Sequence, residues 1–192
     1  MTPVIDLSAP ARERLLELAA DAIHRAAHDH AADGIALAEE PAPLADPGAS
    51  FVTLKRGDAL RGCIGSLEAH RPLATDVQHN ARAAALHDPR FPRLRPEELV
   101  GLEYSVTLLS AAHPVDAPHR EALLQQLQPG RDGLVIQAGT RRATFLPAVW
   151  EQLPDPEAFL DALLQKAGLG HDAWTMGLQA WRYSSQEFAG EL

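Results

Sequence analysis

The chain has 192 residues, of which 46% are hydrophobic and 22% charged, the balance of a globular protein rather than a disordered or fibrous one. Its net charge is −9 and its isoelectric point is near 5.4, which argues against nucleic-acid binding because such proteins usually carry a basic surface. A single cysteine, Cys63, excludes an intramolecular disulfide and a zinc site built from several cysteines.

The sequence contains no pattern typical of membrane targeting or membrane insertion. Residues 1–6 carry neither the basic region nor the apolar stretch of a signal peptide. No later run approaches the roughly 18 apolar residues that a membrane-spanning helix needs. We therefore expect a cytoplasmic protein with no membrane segment.

The first predicted element is a helix over about residues 11–30, because apolar residues recur there at spacings of three and four. Ser8 and Pro10 suit its beginning. His24 and His28 lie one turn apart on its polar face, but no zinc-protease pattern accompanies them. We expect a solvated face there, and we predict no metal site.

A β-hairpin and a second helix follow. Residues 51–54 and 59–64 are predicted as strands joined by a turn over residues 55–58. Pro72 suits the first turn of a helix, which Asp88-Pro89 ends because the residue before a proline disfavours helical geometry. One apolar face of this helix consists of Leu73, Val77, Ala81 and Ala84.

A similar series of strands followed by a helix is predicted in the second half of the chain. Residues 102–108 alternate apolar and polar side chains, as a half-buried antiparallel strand does. Residues 133–137 and 143–146 predict another hairpin, and a last strand is predicted at residues 181–184. Asp155-Pro156 begins a helix that ends at Gly168.

The order strand, turn, strand, proline, helix therefore occurs twice, over residues 51–87 and 134–167. This indicates an internal ββα duplication, although residue identity between the two copies is slight. The predicted fold is α+β, an antiparallel β-sheet with flanking helices. We interpret residues 1–192 as a single domain in which two subdomains are allowed but no boundary is set.

The segment Leu60-Arg61-Gly62-Cys63-Ile64-Gly65 resembles the signature hexapeptide of the AMMECR-one domain family. The similarity extends over most of the chain. Further blocks that resemble the family are residues 51–54, 72–73, 88–92, 96–99, 129–134, 145–147, 159–160 and 166–169.

This resemblance implies an α+β fold with two lobes and a cleft between them. It also implies the set called AmmeMemoRadiSam, in which such a protein is encoded beside a Memo-like protein and a radical SAM enzyme, the expected partners. It supplies no reaction, so whether the chain is an enzyme stays open, as does its oligomeric state. No phosphate-loop or dinucleotide fingerprint is present, and we predict no cofactor.

The signature segment suggests chemistry at Cys63. Arg61 and Cys63 fall on one face of a strand, about 7 Å apart along it, and a nearby cation favours the thiolate. Gly62 and Gly65 leave room for a ligand to approach closely. The alternative is a structural core, because free cysteine is among the most buried residue types.

Four polar residues are further candidates. Asp88 and Arg90 either line the cleft as an acid or anion-binding pair or form a salt bridge that fixes the loop after the helix. Ser66 and Glu68 either hydrogen-bond a ligand or are solvated residues at a hairpin exit.

Two functional hypotheses follow. The first is an accessory or interaction protein whose working surface is the Arg61–Cys63 cleft together with the loop over residues 88–91. The alternative is an enzyme that uses Cys63 as nucleophile or redox group on a small anionic substrate or a modified base, with Arg61 and Asp88 as its other catalytic candidates.

Overall fold

The structure, a computed structural model, describes residues 7–31 and 34–192. The prediction that residues 1–6 are not a signal peptide falls outside the described residues. The helices are α1 (Ala9–Ala27), α2 (Leu73–Leu86), α3 (Arg120–Leu124) and α4 (Pro156–Ala167). The strands are β1 (Pro47–Arg56), β2 (Ala59–Gly65), β3 (Arg71–Pro72), β4 (Glu103–Leu109), β5 (His113–Val115), β6 (Gly133–Ala138), β7 (Arg141–Phe145), β8 (Gln179–Tyr183) and β9 (Ser185–Glu191).

The chain forms two compact units. The first consists of residues 7–109 and 186–192, and its antiparallel sheet has the strand order β2-β1-β4-β9, with β3 paired to the start of β1. Helix α2 packs against β1, and α1 packs against α2. The face of β1 that meets α2 buries Val52 and Leu54 completely, so the core of this unit lies between the sheet and the two helices.

The second unit, Ser110–Ser185, has an antiparallel sheet of order β5-β8-β6-β7. Its core packs α4 against β6 and β7. The indole of Trp150 stacks on the ring of Phe159 with 3.8 Å between centroids, and Leu134, Leu160 and Leu163 are fully buried beside them. The α+β class predicted from the sequence is confirmed in both units.

Local signals in the sequence explain where the long helices begin and end. The Ser8 hydroxyl accepts a hydrogen bond from the Ala11 N–H at the start of α1, and the Asp155 carboxylate does the same for Ala158 in α4. Gly168 ends α4 with φ +69°, a left-handed conformation that favours glycine. None of the described helices is both long enough and apolar enough to cross a membrane.

The strand predicted at residues 181–184 is present, but it is not the last strand of the chain. Strand β8 covers the predicted region, but a further strand, β9, follows it and closes the sheet of the first unit beside β4. The sequence of β9 is polar and half-exposed along most of its length, so it lacks the apolar alternation that marks a strand. The ββα order recurs in both units, whereas its origin by duplication and the single-domain boundary stay predictions.

A buried carboxylate ties the first unit together. Asp76, on α2, is fully buried, and its oxygens accept hydrogen bonds from the Ser50 N–H and hydroxyl at 2.9 and 2.7 Å and from the Ser66 hydroxyl at 2.9 Å. Asn80 donates to Asp76 at 2.9 Å, and Arg71 forms an ion pair with it at 3.1 Å. The carboxylate therefore joins β1, the exit of β2, β3 and α2.

Replacing this carboxylate is expected to destabilise the protein strongly. In Asp76→Ala, four hydrogen-bond donors and the Arg71 guanidinium lose their buried acceptor, and breaking a buried charge network costs about 3–5 kcal/mol. Urea unfolding of the purified proteins measures the difference. Asp58→Ala, at the exposed turn between β1 and β2, is the matched control and is expected to stay within about 0.5 kcal/mol of wild type. Equal losses in the two variants would contradict a central role for Asp76.

Candidate functional site

Strand β2 presents Cys63 on the sheet face that points away from α2. A Cβ atom on the neighbouring Gly62 would lie 2.4 Å from the Ala84 carbonyl oxygen, so glycine lets α2 approach the strand closely. Because side chains alternate along a strand, Cys63 faces the other way. It is half-buried, and the Thr53 hydroxyl on β1 donates to its Sγ at 3.3 Å.

Arg61 is fixed by a carboxylate distant in sequence. The strand register passes from Leu54↔Gly62 to Lys55↔Leu60, so Arg61 is the extra residue of a β-bulge. Its guanidinium makes two parallel hydrogen bonds to Glu98, at 2.8 and 3.1 Å. Nη1 of Arg61 is buried and has no hydrogen-bond partner among the described residues.

The side chains of Asp88 and Arg90 form hydrogen bonds with the backbone of Cys63. The backbone N–H of Cys63 donates to the Asp88 carboxylate at 2.8 Å, and the Arg90 guanidinium donates to the Cys63 carbonyl at 3.3 Å. The two side chains also pair with each other, at 2.7 and 2.9 Å. Because β2 is an edge strand, they supply the hydrogen bonds that a neighbouring strand would otherwise make.

These pairs set the charge states of the site. The Arg90 guanidinium, followed by the N–H groups of Cys63 and Arg90, holds the pKa of Asp88 well below its usual range. Hydrogen bonding to Arg61 likewise lowers the pKa of Glu98. The pKa of Arg90 is raised, chiefly by Asp88, and attraction to the Cys63 side chain contributes. Asp88 is therefore ionised at neutral pH and is poorly suited to act as a general acid.

The other predicted site residues lie in different surroundings. Ser66 donates to the buried Asp76. Glu68 is exposed, with its carboxylate 3.4 Å from His70. A Cβ atom on Gly65 would lie 2.2 Å from the Phe51 ring, so this glycine makes room for a side chain of the protein. The structure brings Arg61, Cys63, Asp88 and Arg90 close together, but not Ser66 or Glu68.

Sequence reasoning did not single out Glu98 or Thr53, whereas Phe91 lies in the loop over residues 88–91 that it assigned to the working surface. Glu98 binds Arg61 from 37 positions further along the chain, and Thr53 contacts Cys63 only through the pairing of β1 with β2. The ring of Phe91 lies 5.9 Å from the Arg61 guanidinium carbon and 5.5 Å from that of Arg90. The first two roles depend on tertiary contacts, which no local pattern reveals.

No metal centre is found in the part of the chain that the structure describes, where no three His, Cys, Asp or Glu side chains are placed to hold an ion together. The rings of His24 and His28 lie 4.5 Å apart and are solvent-exposed.

The region around Cys63 offers a thiol, two guanidinium groups and an aromatic ring for binding or covalent chemistry.

Comparison with known proteins gives one family match. A family model described as AMMECR1 matches residues 16–188. A protein of Thermofilum pendens is 44% identical over 131 residues, which are 67% of this chain and 62% of that protein. Protein MJ0810 of Methanocaldococcus jannaschii is 37% identical over 131 residues, 67% of this chain and 65% of its own. The matched region thus spans less than two thirds of these relatives.

A solved structure is similar over nearly the whole chain. The crystal structure of the uncharacterised protein PH0010 from Pyrococcus horikoshii matches with a TM-score of 0.82 and 29% identity. The match covers 96% of this chain and 94% of the other. The arrangement of elements described above is therefore shared with an experimentally determined fold.

The Asp88 interactions generate a pH-dependent prediction. Asp88→Asn is expected to lower the free energy of unfolding at neutral pH by about 1–3 kcal/mol, because it removes the ion pair with Arg90 and an acceptor for the Cys63 N–H. Since the folded protein depresses the pKa of Asp88, this stabilisation exists above the unfolded pKa of about 3.9 and declines as pH falls below it. The difference in the free energy of unfolding between the wild type and Asp88→Asn should therefore become smaller as the pH falls.

Urea unfolding across that pH range measures the gap. Glu97→Gln changes the charge of an exposed neighbour of Glu98 and should shift stability by no more than about 0.5 kcal/mol. A gap for Asp88→Asn that widens in acid would contradict the assigned ion pair.

Proposed function

The chain belongs to the AMMECR1 family, and from this premise we propose that it is a non-catalytic accessory protein that acts by binding partner proteins. The proposed partners are a Memo-like protein and a radical SAM enzyme in the cytoplasm, the associations that the family resemblance implies. The proposed contact region, called here the signature surface, consists of Arg61, Cys63, Asp88, Arg90 and Phe91.

The observation that carries the proposal is that the charged side chains described around Cys63 are paired with one another or with the Cys63 backbone. Asp88 is bound to Arg90 and to the Cys63 N–H, and Glu98 is bound to Arg61. A nucleophilic cysteine is commonly activated by a general base within hydrogen-bond distance. The described contacts of the thiol are instead with the Thr53 hydroxyl and the Arg90 guanidinium, and neither group is a base at neutral pH. The signature segment thus builds a fixed surface rather than an acid–base pair.

The composition of this surface suits protein recognition. Phe91 is half-buried between two guanidinium groups, and the Arg90 side chain is 54% exposed. Arginine and aromatic residues are enriched at protein interfaces and among the residues that dominate binding energy. Because their partners already hold these side chains in place, little conformational entropy is lost on binding.

A second candidate function is catalysis by Cys63, as nucleophile or redox group, on a small anionic substrate or a modified base. The observation that favours it is the thiol itself, which receives a hydrogen bond from Thr53 and lies near the Arg90 cation. In this candidate a base would have to come from the substrate or from a partner protein.

Binding measurements with single variants separate the two candidates. The purified Memo-like and radical SAM proteins would be titrated with the chain by calorimetry. Phe91→Ala is expected to weaken the complex by about tenfold or more, because it removes the apolar centre of the surface. Leu67→Ala, which removes a 50% exposed apolar side chain outside the surface, is the matched control and should have little effect.

Cys63→Ser replaces a side chain of the surface by one of similar size, and it is expected to lower the affinity far less than Phe91→Ala does in the same titrations. If neither protein binds the wild-type chain, the accessory proposal is wrong. If binding is intact in every variant, while Cys63→Ser abolishes a chemical turnover of the assembled proteins, catalysis by Cys63 replaces it.

A further inference from the structure

We infer that the signature surface recognises an acidic segment of a partner protein, in which an apolar side chain lies between carboxylates. The carboxylates contact Arg90 and Arg95, and the apolar side chain contacts Phe91. This inference rests on the proposed function and deepens it, because it names the chemistry of the partner at the same surface.

The charge around the signature surface is opposite in sign to that of the whole chain. Residues 55–61 and 88–98 carry six lysine and arginine side chains but four aspartate and glutamate side chains. The chain as a whole has a net charge of −9. Basic residues are therefore concentrated in these two segments, and a local excess of one charge favours a partner of the opposite charge.

The two segments lie side by side in the structure. The Glu98 carboxylate binds the Arg61 guanidinium at 2.8 and 3.1 Å, and it also accepts the backbone N–H of Arg95 at 2.9 Å. Arg56 of β1 donates to the carbonyl of Val100 at 3.2 Å. The loop after α2 thus lies along the β1-β2 hairpin, and Arg95 begins beside the Arg61 guanidinium.

The surface holds more guanidinium donors than carboxylate acceptors. Nη1 of Arg61 is buried and has no hydrogen-bond partner among the described residues, which is costly for a charged group. Arg95 is exposed and forms no ion pair with any residue that the structure describes. The paired side chains of Arg90 and Arg93 are still 54% and 60% exposed. Because guanidinium groups bind carboxylates through two parallel hydrogen bonds, an acidic segment supplies acceptors that the chain itself lacks.

Apolar side chains beside these arginines define the rest of the partner segment. The Phe91 ring is half-buried next to Arg61 and Arg90. Leu60 and Val100, on the two neighbouring segments, are 39% and 81% exposed. A purely ionic partner leaves this apolar area in water, whereas a segment with an apolar side chain among its carboxylates buries part of it.

A nucleic acid suits this surface less well than an acidic peptide does. The carboxylates of Asp88 and Glu98 lie among the arginines, and the net charge of the chain repels a phosphate backbone at long range. A short peptide carries few charges, so it meets less of this repulsion.

Titration of the full-length chain with labelled peptides, followed by fluorescence anisotropy, tests the inference. The acidic probe is Glu-Glu-Phe-Glu-Glu-Leu, and Gln-Gln-Phe-Gln-Gln-Leu has the same apolar side chains without the carboxylates. In about 50 mM salt, the acidic peptide is expected to bind saturably and about tenfold more tightly than the glutamine peptide. This advantage should shrink in about 500 mM salt, because exposed charges are then screened.

Matched variants locate the binding site. Arg95→Glu is expected to weaken binding of the acidic peptide about tenfold, because it replaces an attractive contact by a repulsive one. Arg131→Glu makes the same change in net charge at an exposed residue of the second unit and should alter the affinity by less than about twofold. Arg95→Gln, which only removes the charge, should give a loss of about threefold. Thermal midpoints of all three should stay close to that of the wild type, since both positions are exposed.

Equal affinity for the two peptides, or equal losses in Arg95→Glu and Arg131→Glu, would overturn the inference. An octauridylate RNA that binds more tightly than the acidic peptide and loses affinity in Arg95→Glu would also overturn it. If the Memo-like and radical SAM proteins fail to bind while the acidic peptide binds as expected, the proposed partners are wrong and the acidic specificity stands. If those proteins bind without any preference for the acidic peptide, the proposed function stands and this inference is wrong.

Discussion

Two hydrogen bonds to the backbone of Cys63 are the interaction on which the site depends. Strand β2 lies at the edge of its sheet, where unpaired N–H and C=O groups invite further strand pairing. Asp88 and Arg90 satisfy both groups with side chains. The same contacts fix the loop after α2 against the sheet, which brings Phe91 beside the two arginines. The edge is thereby closed to strand addition at Cys63 and becomes a fixed, partly cationic surface.

The two faces of the β2-β1-β4-β9 sheet differ in what they contact. Toward α2, the chain buries the Asp76 network and the close approach of Gly62 to Ala84, which make the unit rigid. Away from α2, the small polar side chains of Thr53 and Ser105 line a shallow cavity. Cys63 lies on this second face, where the Thr53 hydroxyl donates to its thiol. Rigidity on one face supports recognition on the other, since a fixed site loses little entropy on binding.

The sequence alone predicted the parts of the fold that local rules govern. Both hairpins, α1, α2 and α4 follow from apolar periodicity and from capping residues such as Ser8 and Asp155. Strand β9 was missed because its pattern is polar, and α3 and β5 are too short for periodicity to be informative. The grouping of Arg61, Cys63 and Asp88 was anticipated through the family blocks. The Arg61–Glu98 pair and the Thr53–Cys63 contact depend on which distant segments meet.

Hydrogen exchange at the Cys63 amide tests the central claim most directly. If Asp88 captures this N–H as described, the amide should exchange slowly, with protection comparable to that of Val52 in the centre of the sheet, although it lies on the outer edge of β2. Protection should fall sharply in Asp88→Asn. Exchange of the wild-type Cys63 amide at the rate of an unprotected chain would show that the edge is open, and would contradict the account of a fixed surface.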